Sequence, residues 1–134
     1  MEQTFIIVKP EAVKRGLVGT VLTRFENRGL VLKRLEVRQI SRDLARIHYA
    51  HLADKPFFEG VLDAITAGPV VTGILEGENA IELVRQLLGA TDPLKAAPGT
   101  IRGDYGTVLP YNVVHASDSP ESAAREIKLF FPEA

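Results

Sequence analysis

The sequence has no cysteine, no long apolar run and no excess of charge of one sign. Without cysteine it cannot form a disulfide framework, a zinc-thiolate finger or a cysteine-ligated iron-sulfur cluster, and it suits a reducing compartment. The first apolar run covers only residues 5–8, which is far too short for a secretory signal or a membrane span. The net charge of −1 gives no reason to expect a nucleic-acid or membrane surface. We therefore expect a cytoplasmic protein that acts away from membranes.

What is present is an average globular composition in a chain of ordinary domain length. The 134 residues include 46% hydrophobic and 25% charged side chains, which argues against disordered and low-complexity classes. A chain of this size buries roughly two-thirds of its unfolded surface, so its core needs no disulfide or metal. No linker, repeat or charge block divides the chain. The sequence predicts one domain, residues 1–134.

Strand-like and helix-like segments alternate along the chain. Continuous apolar runs at residues 4–8 and 70–75 predict strands buried on both faces, and alternation over residues 30–40 predicts a strand with one solvated face. A last short strand is predicted at 112–116. Periodicity and caps predict helices at residues 18–28, 42–55, 57–67, 79–88 and 120–131. Four strands with helices between them favour an α+β, ferredoxin-like sandwich, in which helices cover a four-stranded antiparallel sheet.

The segment from Gly89 to about Tyr111 has four glycines, three prolines and no sustained period of either kind. Loops longer than about 15 residues are uncommon in compact domains and are usually functional or disordered. The aromatic and basic residues within this one favour function. We expect a long active-site loop.

Familiar phosphate-binding and metal-binding motifs are absent. There is neither G-x-x-x-x-G-K-[ST] nor G-x-G-x-x-G between a strand and a helix, so a phosphate site must be built largely from side chains. His48 and His51 stand three residues apart on a predicted helix, but no acidic residue occupies an obvious third-ligand position. We predict a partly exposed helix face there and no metal held by the chain.

One histidine and one glutamate stand out near the C-terminal end. His115 follows two valines of a predicted strand and precedes a polar helix start, which places its imidazole where the backbone reaches the surface. Glu126 falls on the apolar stripe of the last helix, where an unpaired carboxylate would be costly or protonated. Its nearest partners by chain path are His115 and Ser117, so we predict a carboxylate that orients a reactive imidazole. The alternative is a Glu126 in water at the edge of the stripe.

The polar residues that the element order brings near His115 are cationic or carry hydroxyl and amide groups. They are Lys9, Tyr49, Arg85, Thr91, Arg102 and Asn112. An arginine fork suits phosphate oxygens, and phosphoryl transfer depends mainly on positioning and charge neutralisation. The set indicates phosphoryl transfer, although each arginine taken alone is more often part of a surface salt bridge.

Several separated blocks of the sequence resemble the nucleoside diphosphate kinase family. They cover nearly the whole chain in the family's order and spacing. The blocks are Lys9-Pro10-Glu11-Ala12-Val13, Arg15-Gly16-Leu17-Val18-Gly19, His48-Tyr49, Lys55-Pro56-Phe57-Phe58, Gly68-Pro69-Val70-Val71, Arg85, Leu88-Gly89-Ala90-Thr91, Pro98-Gly99-Thr100-Ile101-Arg102-Gly103-Asp104-Tyr105 and Asn112-Val113-Val114-His115-Ala116-Ser117-Asp118-Ser119.

The resemblance implies a ping-pong reaction in which the γ-phosphoryl of a nucleoside triphosphate, mainly ATP, passes to a nucleoside diphosphate. His115 would be the nucleophile that carries it, Glu126 would hold the ring, and Lys9 would be a third catalytic residue. Phe57 would stack on the base with Leu109 on its other side, which gives loose base specificity because every base has a π-face. Phosphate or sugar contacts are expected from Lys9, Tyr49, Arg85, Thr91, Arg102 and Asn112, with Lys9 and Asn112 also reaching the ribose.

The resemblance also implies a metal ion and an assembly. Mg²⁺ would arrive with the nucleotide, held chiefly by phosphates and water because the matched blocks offer no carboxylate cage. Asp118 would assist through water, and Ser117 is a second supporting residue. Family members form hexamers and tetramers built from a common dimer, so we expect a homo-oligomer.

Three positions depart from the family pattern. Ala116 stands where glycine is common, and it would be strained if that position needs a positive φ. Leu109 stands where valine is frequent, which keeps an apolar wall of different shape. Lys55 stands where arginine is frequent, which replaces a fork by a point charge.

Two other functions would use the same residues. A ferredoxin-like binding module would hold nucleotides or single-stranded nucleic acid on Phe57 and the arginines without turnover, and only the pairing of His115 with Glu126 argues against it. A phosphocarrier that receives phosphate from another protein would use a histidine but no base-stacking ring. Incubation with ATP and a diphosphate acceptor distinguishes the three.

Overall fold

The computed structural model describes residues 1–134, and its centre is a four-stranded antiparallel sheet with the strand order β2-β3-β1-β4. The strands are β1 (Glu2–Val8), β2 (Val31–Arg38), β3 (Val70–Gly77) and β4 (Val114–Ala116). The helices are α1 (Pro10–Lys14), α2 (Val18–Asn27), α3 (Arg42–His48), α4 (Phe58–Thr66), α5 (Ala80–Leu88), α6 (Ile101–Tyr105) and α7 (Pro120–Phe130). The predicted helix-covered antiparallel sheet is confirmed. None of the helices has the length and apolar character needed to span a bilayer.

β1 lies inside the sheet because its side chains are apolar on both faces. Ile6 and Val8 belong to one hydrophobic core, which α1, α2 and α5 complete. Phe5 and Ile7 belong to a second core, which α3, α4 and α7 complete. All four side chains are fully buried, as the continuous apolar run predicts. Helices therefore cover both faces of the sheet.

β4 is a three-residue edge strand that pairs with β1, with His115 opposite Ile7. Residues paired across antiparallel strands point to the same face of the sheet. His115 therefore shares the face of Ile7, which α7 covers. This pairing places the chain's last strand against the C-terminal half of its first, residues 6–8.

β2 differs from its predicted pattern because its apolar residues are exposed. Val31, Leu35 and Val37 are 50%, 48% and 69% exposed. Its pairing with β3 has a register irregularity between Leu32 and Arg34, which interrupts the alternation. The expectation of one buried and one solvated face is wrong for the isolated chain. The edge strand instead exposes apolar side chains, Val31 on one face of the sheet and Leu35 and Val37 on the other.

Several short helical pieces escape prediction from the sequence. α1 and α6 each have five residues, and 3-10 turns cover Ala50–Leu52 and Pro93–Lys95. Pieces this short cannot display an apolar period, so local capping is the only signal. The Thr100 hydroxyl accepts from the Gly103 N–H at 3.0 Å at the start of α6. The predicted loop after Gly89 is therefore partly helical, and the predicted helix over residues 42–55 is divided.

Candidate active site

His115 belongs to a hydrogen-bonded set formed by β4 and α7. Its Nε2 lies 3.0 Å from Oε1 of Glu126, and the Ser117 hydroxyl donates to the same oxygen at 2.7 Å. Ser117 is fixed by β1, because its N–H donates to the Phe5 carbonyl at 3.1 Å. The side chain of His115 is 20% exposed and that of Glu126 only 4%. The imidazole is held by a buried carboxylate while part of the ring reaches solvent.

The histidine is neutral and the glutamate is ionised near pH 7. Burial lowers the pKa of His115, and this effect outweighs the raising influence of Glu126. Burial by itself would raise the pKa of Glu126, but the hydrogen bond and charge of His115 and the Ser117 hydroxyl bring it below its usual range. Because a carboxylate only accepts, Nε2 of His115 carries the ring proton. Nδ1 therefore keeps its lone pair.

Lys9, Asn112 and Thr91 are linked at the end of β1. Lys9 Nζ donates to Asn112 Oδ1 at 2.6 Å, and Asn112 Nδ2 donates to the Thr91 carbonyl at 2.9 Å. Burial, followed by repulsion from Arg102, lowers the pKa of Lys9 to about 7. An anion beside such an amine favours its charged form and raises its pKa again. This corner therefore suits a phosphate group.

Arg102 and Arg85 donate to the backbone around the histidine. The acceptors of the buried Arg102 guanidinium are the carbonyls of Asn112, Val114 and Gly89, at 3.2, 2.8 and 3.3 Å. Burial, followed by repulsion from Arg85, lowers the pKa of Arg102 to about 10. Arg85 donates to the Ala116 carbonyl at 3.3 Å. The two arginines brace β4 and bring positive charge to it.

Tyr49, Phe57 and Leu109 lie in different surroundings. Tyr49 is buried with its ring centroid 6.4 Å from that of His115, and burial raises the pKa of its hydroxyl. Phe57 and Leu109 are 54% and 52% exposed, on separate segments. Thr91 and Asp118 are also exposed. The structure thus brings Tyr49 to the histidine and leaves Phe57 and Leu109 free to contact a ligand.

A comparison of the chain with known protein families covers all of these site residues. The family model described as nucleoside diphosphate kinase matches residues 2–134. The chain belongs to this family. The sequence resemblance is therefore confirmed over nearly the whole chain.

Relatives and solved structures agree with the assignment. The nucleoside diphosphate kinase of Carboxydothermus hydrogenoformans is 59% identical, covering 99% of this chain and 89% of the relative. That of Nocardia farcinica is also 59% identical, covering 98% and 96%. The Halobacterium salinarum nucleoside diphosphate kinase, solved in complex with CDP, has a TM-score of 0.96 at 49% identity, covering 98% and 88%. The apo enzyme of Encephalitozoon cuniculi has a TM-score of 0.96 at 40% identity, covering 98% and 89%.

Ala116, which departs from the nucleoside diphosphate kinase pattern, has ordinary strand geometry. Ala116 lies in β4, where it pairs with Ile6 of β1, and its φ is not positive. The left-handed residue in this segment is Val113, with φ 74°. A β-branched residue there is strained, and the buried Val113 carbonyl accepts from the Lys9 N–H at 2.9 Å. The strain considered for Ala116 therefore does not arise; it lies at Val113, two residues before the histidine.

His48 is a buried neighbour of His115, a contact that the sequence analysis does not anticipate. It is 1% exposed at the end of α3, so the predicted partly exposed face is wrong for it, whereas His51 is exposed. Its ring centroid is 4.6 Å from that of His115, at 83° between the planes. Neither nitrogen of His48 has a hydrogen-bond partner, and burial lowers its pKa to about 3. The available signal was its position four residues after Leu44 on the apolar stripe of the helix.

Proposed function

We propose that His115 carries a phosphoryl group between two nucleotides. As a member of the nucleoside diphosphate kinase family, the chain transfers the γ-phosphoryl of a nucleoside triphosphate, mainly ATP, to nucleoside diphosphates. In the proposed ping-pong scheme the first diphosphate leaves before the second binds. The observation that carries the proposal is the contact of Glu126 with Nε2 of His115, which leaves Nδ1 as the nucleophilic atom.

In the first step Nδ1 attacks the γ-phosphorus with its lone pair. The bond from this phosphorus to the oxygen that bridges to the β-phosphate breaks, and its electron pair leaves with the diphosphate. No proton has to be removed, because the attacking ring is neutral. The phosphorylated ring is an imidazolium whose Nε2–H faces the ionised Glu126. The carboxylate therefore stabilises charge that appears in the transition state more than in the ground state. The second diphosphate reverses these steps.

Cationic and neutral donors are proposed to hold the phosphates. Lys9, Arg85 and Arg102 would neutralise charge on the transferring group, which spreads over its equatorial oxygens. The low pKa of Lys9 supports this role, because the amine gains a proton as the anion binds. Neutral contacts would come from Tyr49, Thr91 and Asn112.

The base is proposed to stack between Phe57 and Leu109. Both side chains are more than half exposed, which supports a ligand-binding role for them. Stacking uses the π-face that every base has and gives little discrimination among bases. Broad use of nucleotides follows from this contact.

Magnesium is proposed to enter with the nucleotide. The groups around His115 are mostly cationic, Glu126 is buried and already bonded, and Asp118 is the exposed carboxylate nearby in the chain. Mg²⁺ prefers octahedral oxygen ligands, which phosphates and water supply better than this set. Asp118 would contact the ion through water. When bound, the ion would neutralise part of the negative charge of the phosphates.

The exposed apolar side chains of β2 support self-association. Val31, Leu35 and Val37 lie on an edge strand whose backbone groups are open to a second copy. We propose a dimer through β2 as the unit of a hexamer or tetramer, which native mass measurement tests. The chain is proposed to act as one domain, residues 1–134, in the cytoplasm.

A labelling experiment tests the role of His115. Wild type incubated with γ-labelled ATP and then separated from it should carry acid-labile label, and an added diphosphate should remove it as labelled triphosphate. His115→Ala should lose turnover by at least ~10³-fold, because no other group accepts the phosphoryl. His51→Ala removes an exposed histidine nearby and should label like wild type. Turnover by His115→Ala would contradict the proposal, and nucleotide binding without label would indicate a binding module.

A further inference from the structure

Beside the reacting histidine lies a buried histidine that has no hydrogen-bonding role. Both nitrogens of His48 are buried without a partner, and the ring packs edge-on against His115 and Phe130, with centroids 4.6 and 5.4 Å away. Buried polar groups in folded proteins are nearly always satisfied, so these two nitrogens require an explanation. A phenyl ring would fill the same space without leaving polar atoms unpaired. The imidazole therefore indicates a ligand.

Two further donors stand next to His48. One nitrogen of His48, one of His115 and a carboxylate oxygen of Glu126 all lie within 4.8 Å of one another. We propose that His48, His115 and Glu126 form a zinc-binding site, with water as the fourth ligand. Two imidazoles and a carboxylate with one open position match the donor set of accessible tetrahedral zinc sites. Mg²⁺ prefers oxygen ligands, so the magnesium that accompanies a nucleotide would not occupy this site.

The geometry requires only a small adjustment. Ligand atoms at about 2.1 Å from a tetrahedral zinc lie about 3.4 Å apart. His115 Nε2 and Glu126 Oε1 are 3.0 Å apart, so the ion would replace their hydrogen bond. A nitrogen of His48 would then move towards the ion. The Ser117 hydroxyl, which donates to Glu126 at 2.7 Å, would remain to orient the carboxylate. His48 is neutral near pH 7 and offers a lone pair without losing a proton.

The ion would reach the site through a surface cleft of about 770 Å³ between α3 and α7. His115 and Glu126 both line this cleft, as does Asp118, while none of the residues proposed to hold nucleotide phosphates directly does. Arg125, which lies 3.5 Å from the second oxygen of Glu126, would give way to the ion. Zinc would bind Nε2 of His115, whereas the phosphoryl group would meet Nδ1.

Zinc at this site would switch off the nucleophile, a consequence that rests on the proposed role of His115. Coordination uses the lone pair of Nε2, so the ring proton moves from Nε2 to Nδ1. Nδ1 then has no lone pair with which to attack phosphorus. Zinc binding and phosphorylation of His115 would exclude each other, whereas Mg²⁺ would leave the ring unchanged.

Calorimetric titration of the metal-free full-length chain with ZnCl₂, in the absence of nucleotide, tests the site. Wild type should bind one zinc per chain. His48→Phe, which keeps an aromatic ring in the core, should bind at least tenfold more weakly. His51→Ala, which removes the exposed histidine of the same cleft, should bind like wild type. Absence of stoichiometric binding, or loss in His51→Ala with retention in His48→Phe, overturns the proposal.

Two further measurements keep the proposal testable even if His48→Phe does not fold. In wild type, zinc should shift the imidazole ¹⁵N resonances of His48 and His115 and leave those of His51 unchanged; the reverse pattern overturns the site. At a buffered zinc concentration that saturates wild type, labelling by Mg-ATP should fall at least tenfold relative to the metal-free rate. His48→Phe should show no such fall relative to its own metal-free rate. If zinc binds but wild type never takes label even without zinc, the phosphohistidine proposal fails and the zinc site stands.

Discussion

In the proposed reaction, one carboxylate oxygen of Glu126 decides which nitrogen of His115 attacks. Oε1 of Glu126 accepts from both Nε2 of His115 and the Ser117 hydroxyl, and Ser117 is itself bonded to β1. The ring is therefore fixed in orientation and tautomer by an anion that cannot donate a proton at neutral pH. The proposal therefore has Glu126 act on the reaction through the ring and not through the nucleotide.

Glu126→Gln should separate an effect on the reactivity of the His115 ring from an effect on nucleotide binding. The amide can donate to Nε2, which moves the ring proton to Nδ1, and it brings no charge to the developing imidazolium. We expect the single-turnover rate of His115 phosphorylation to fall on the order of 10²-fold, with nucleotide affinity nearly unchanged. Rapid-quench labelling gives the rate and calorimetry gives the affinity. Comparable losses in both would assign Glu126 a merely structural role.

Ala116 gives a second prediction about a single residue. Since its backbone is ordinary strand and its methyl group is buried, the family's usual glycine should not relieve any strain here. Ala116→Gly should lower the free energy of unfolding by about 1 kcal/mol, through backbone entropy and lost apolar burial. Denaturant titration measures this change in unfolding free energy. A more stable Ala116→Gly would mean that alanine is strained at this position.

The regular elements follow from their sequence periods, and the short ones do not. The strands β1 and β3 and the helices α2, α5 and α7 are predicted because each displays an apolar run or stripe against the core. α6 has five residues, and its position depends on the Thr100 cap and on contacts with distant chain segments. The sequence predicts that the exposed apolar residues of β2 face inward, because nothing local distinguishes a core strand from an uncovered edge strand.

The turn that holds α6 should be intolerant of a side chain at Gly103. A Cβ there would lie 2.0 Å from the Ala97 carbonyl oxygen, which is backbone and cannot rotate away. We expect Gly103→Ala to cost about 3 kcal/mol of unfolding free energy and to reduce activity, since the neighbouring Arg102 braces β4.

Gly60→Ala is the matched control for this substitution. Gly60 lies in α4, where an added Cβ meets nothing within 4 Å. The control should gain about 0.5–1 kcal/mol, because alanine loses less backbone entropy in a helix. Denaturant unfolding of both variants measures the contrast. Similar stabilities for the two would show that the turn at α6 is free to adjust.

For the whole molecule, His48 should make stability depend on pH. Its pKa is about 3 in the folded chain and 6.5 ordinarily, so below pH 6.5 the unfolded chain binds a proton that the folded chain does not. The free energy of unfolding should therefore fall as pH falls from 6.5 toward 3, by up to ~1.4 kcal/mol per pH unit from this residue. Burial of His115 contributes in the same direction.

His48→Phe isolates that contribution because it removes the titrating group and keeps the ring. The slope of unfolding free energy against pH, from urea titrations between about pH 5 and pH 6, should be shallower in the variant by up to ~1.4 kcal/mol per unit. Parallel slopes for wild type and variant would show that His48 is protonated in the folded chain.

The active site as a whole is only partly visible in the sequence. The contact of His115 with Glu126 can be anticipated, because a carboxylate on an apolar stripe needs a partner and the chain path offers few. The buried position of Arg102 leaves no periodic signal, and its three carbonyl acceptors belong to segments that only the fold brings together. The position of His48 on the apolar stripe of α3 hints at burial, but its contacts with Phe5 and Phe130 appear only in the fold.

The pairing of β4 with β1 has a consequence for how the protein is made. Phe5 and Ser117, which join the two strands, are 112 positions apart, so β1 leaves the ribosome long before its partner exists. Until then one edge of the central strand is open to other nascent chains, which is a hazard for aggregation. The nucleophile gains its carboxylate only when α7 emerges. The proposed active site is therefore complete only after every strand of the sheet and α7 have been made.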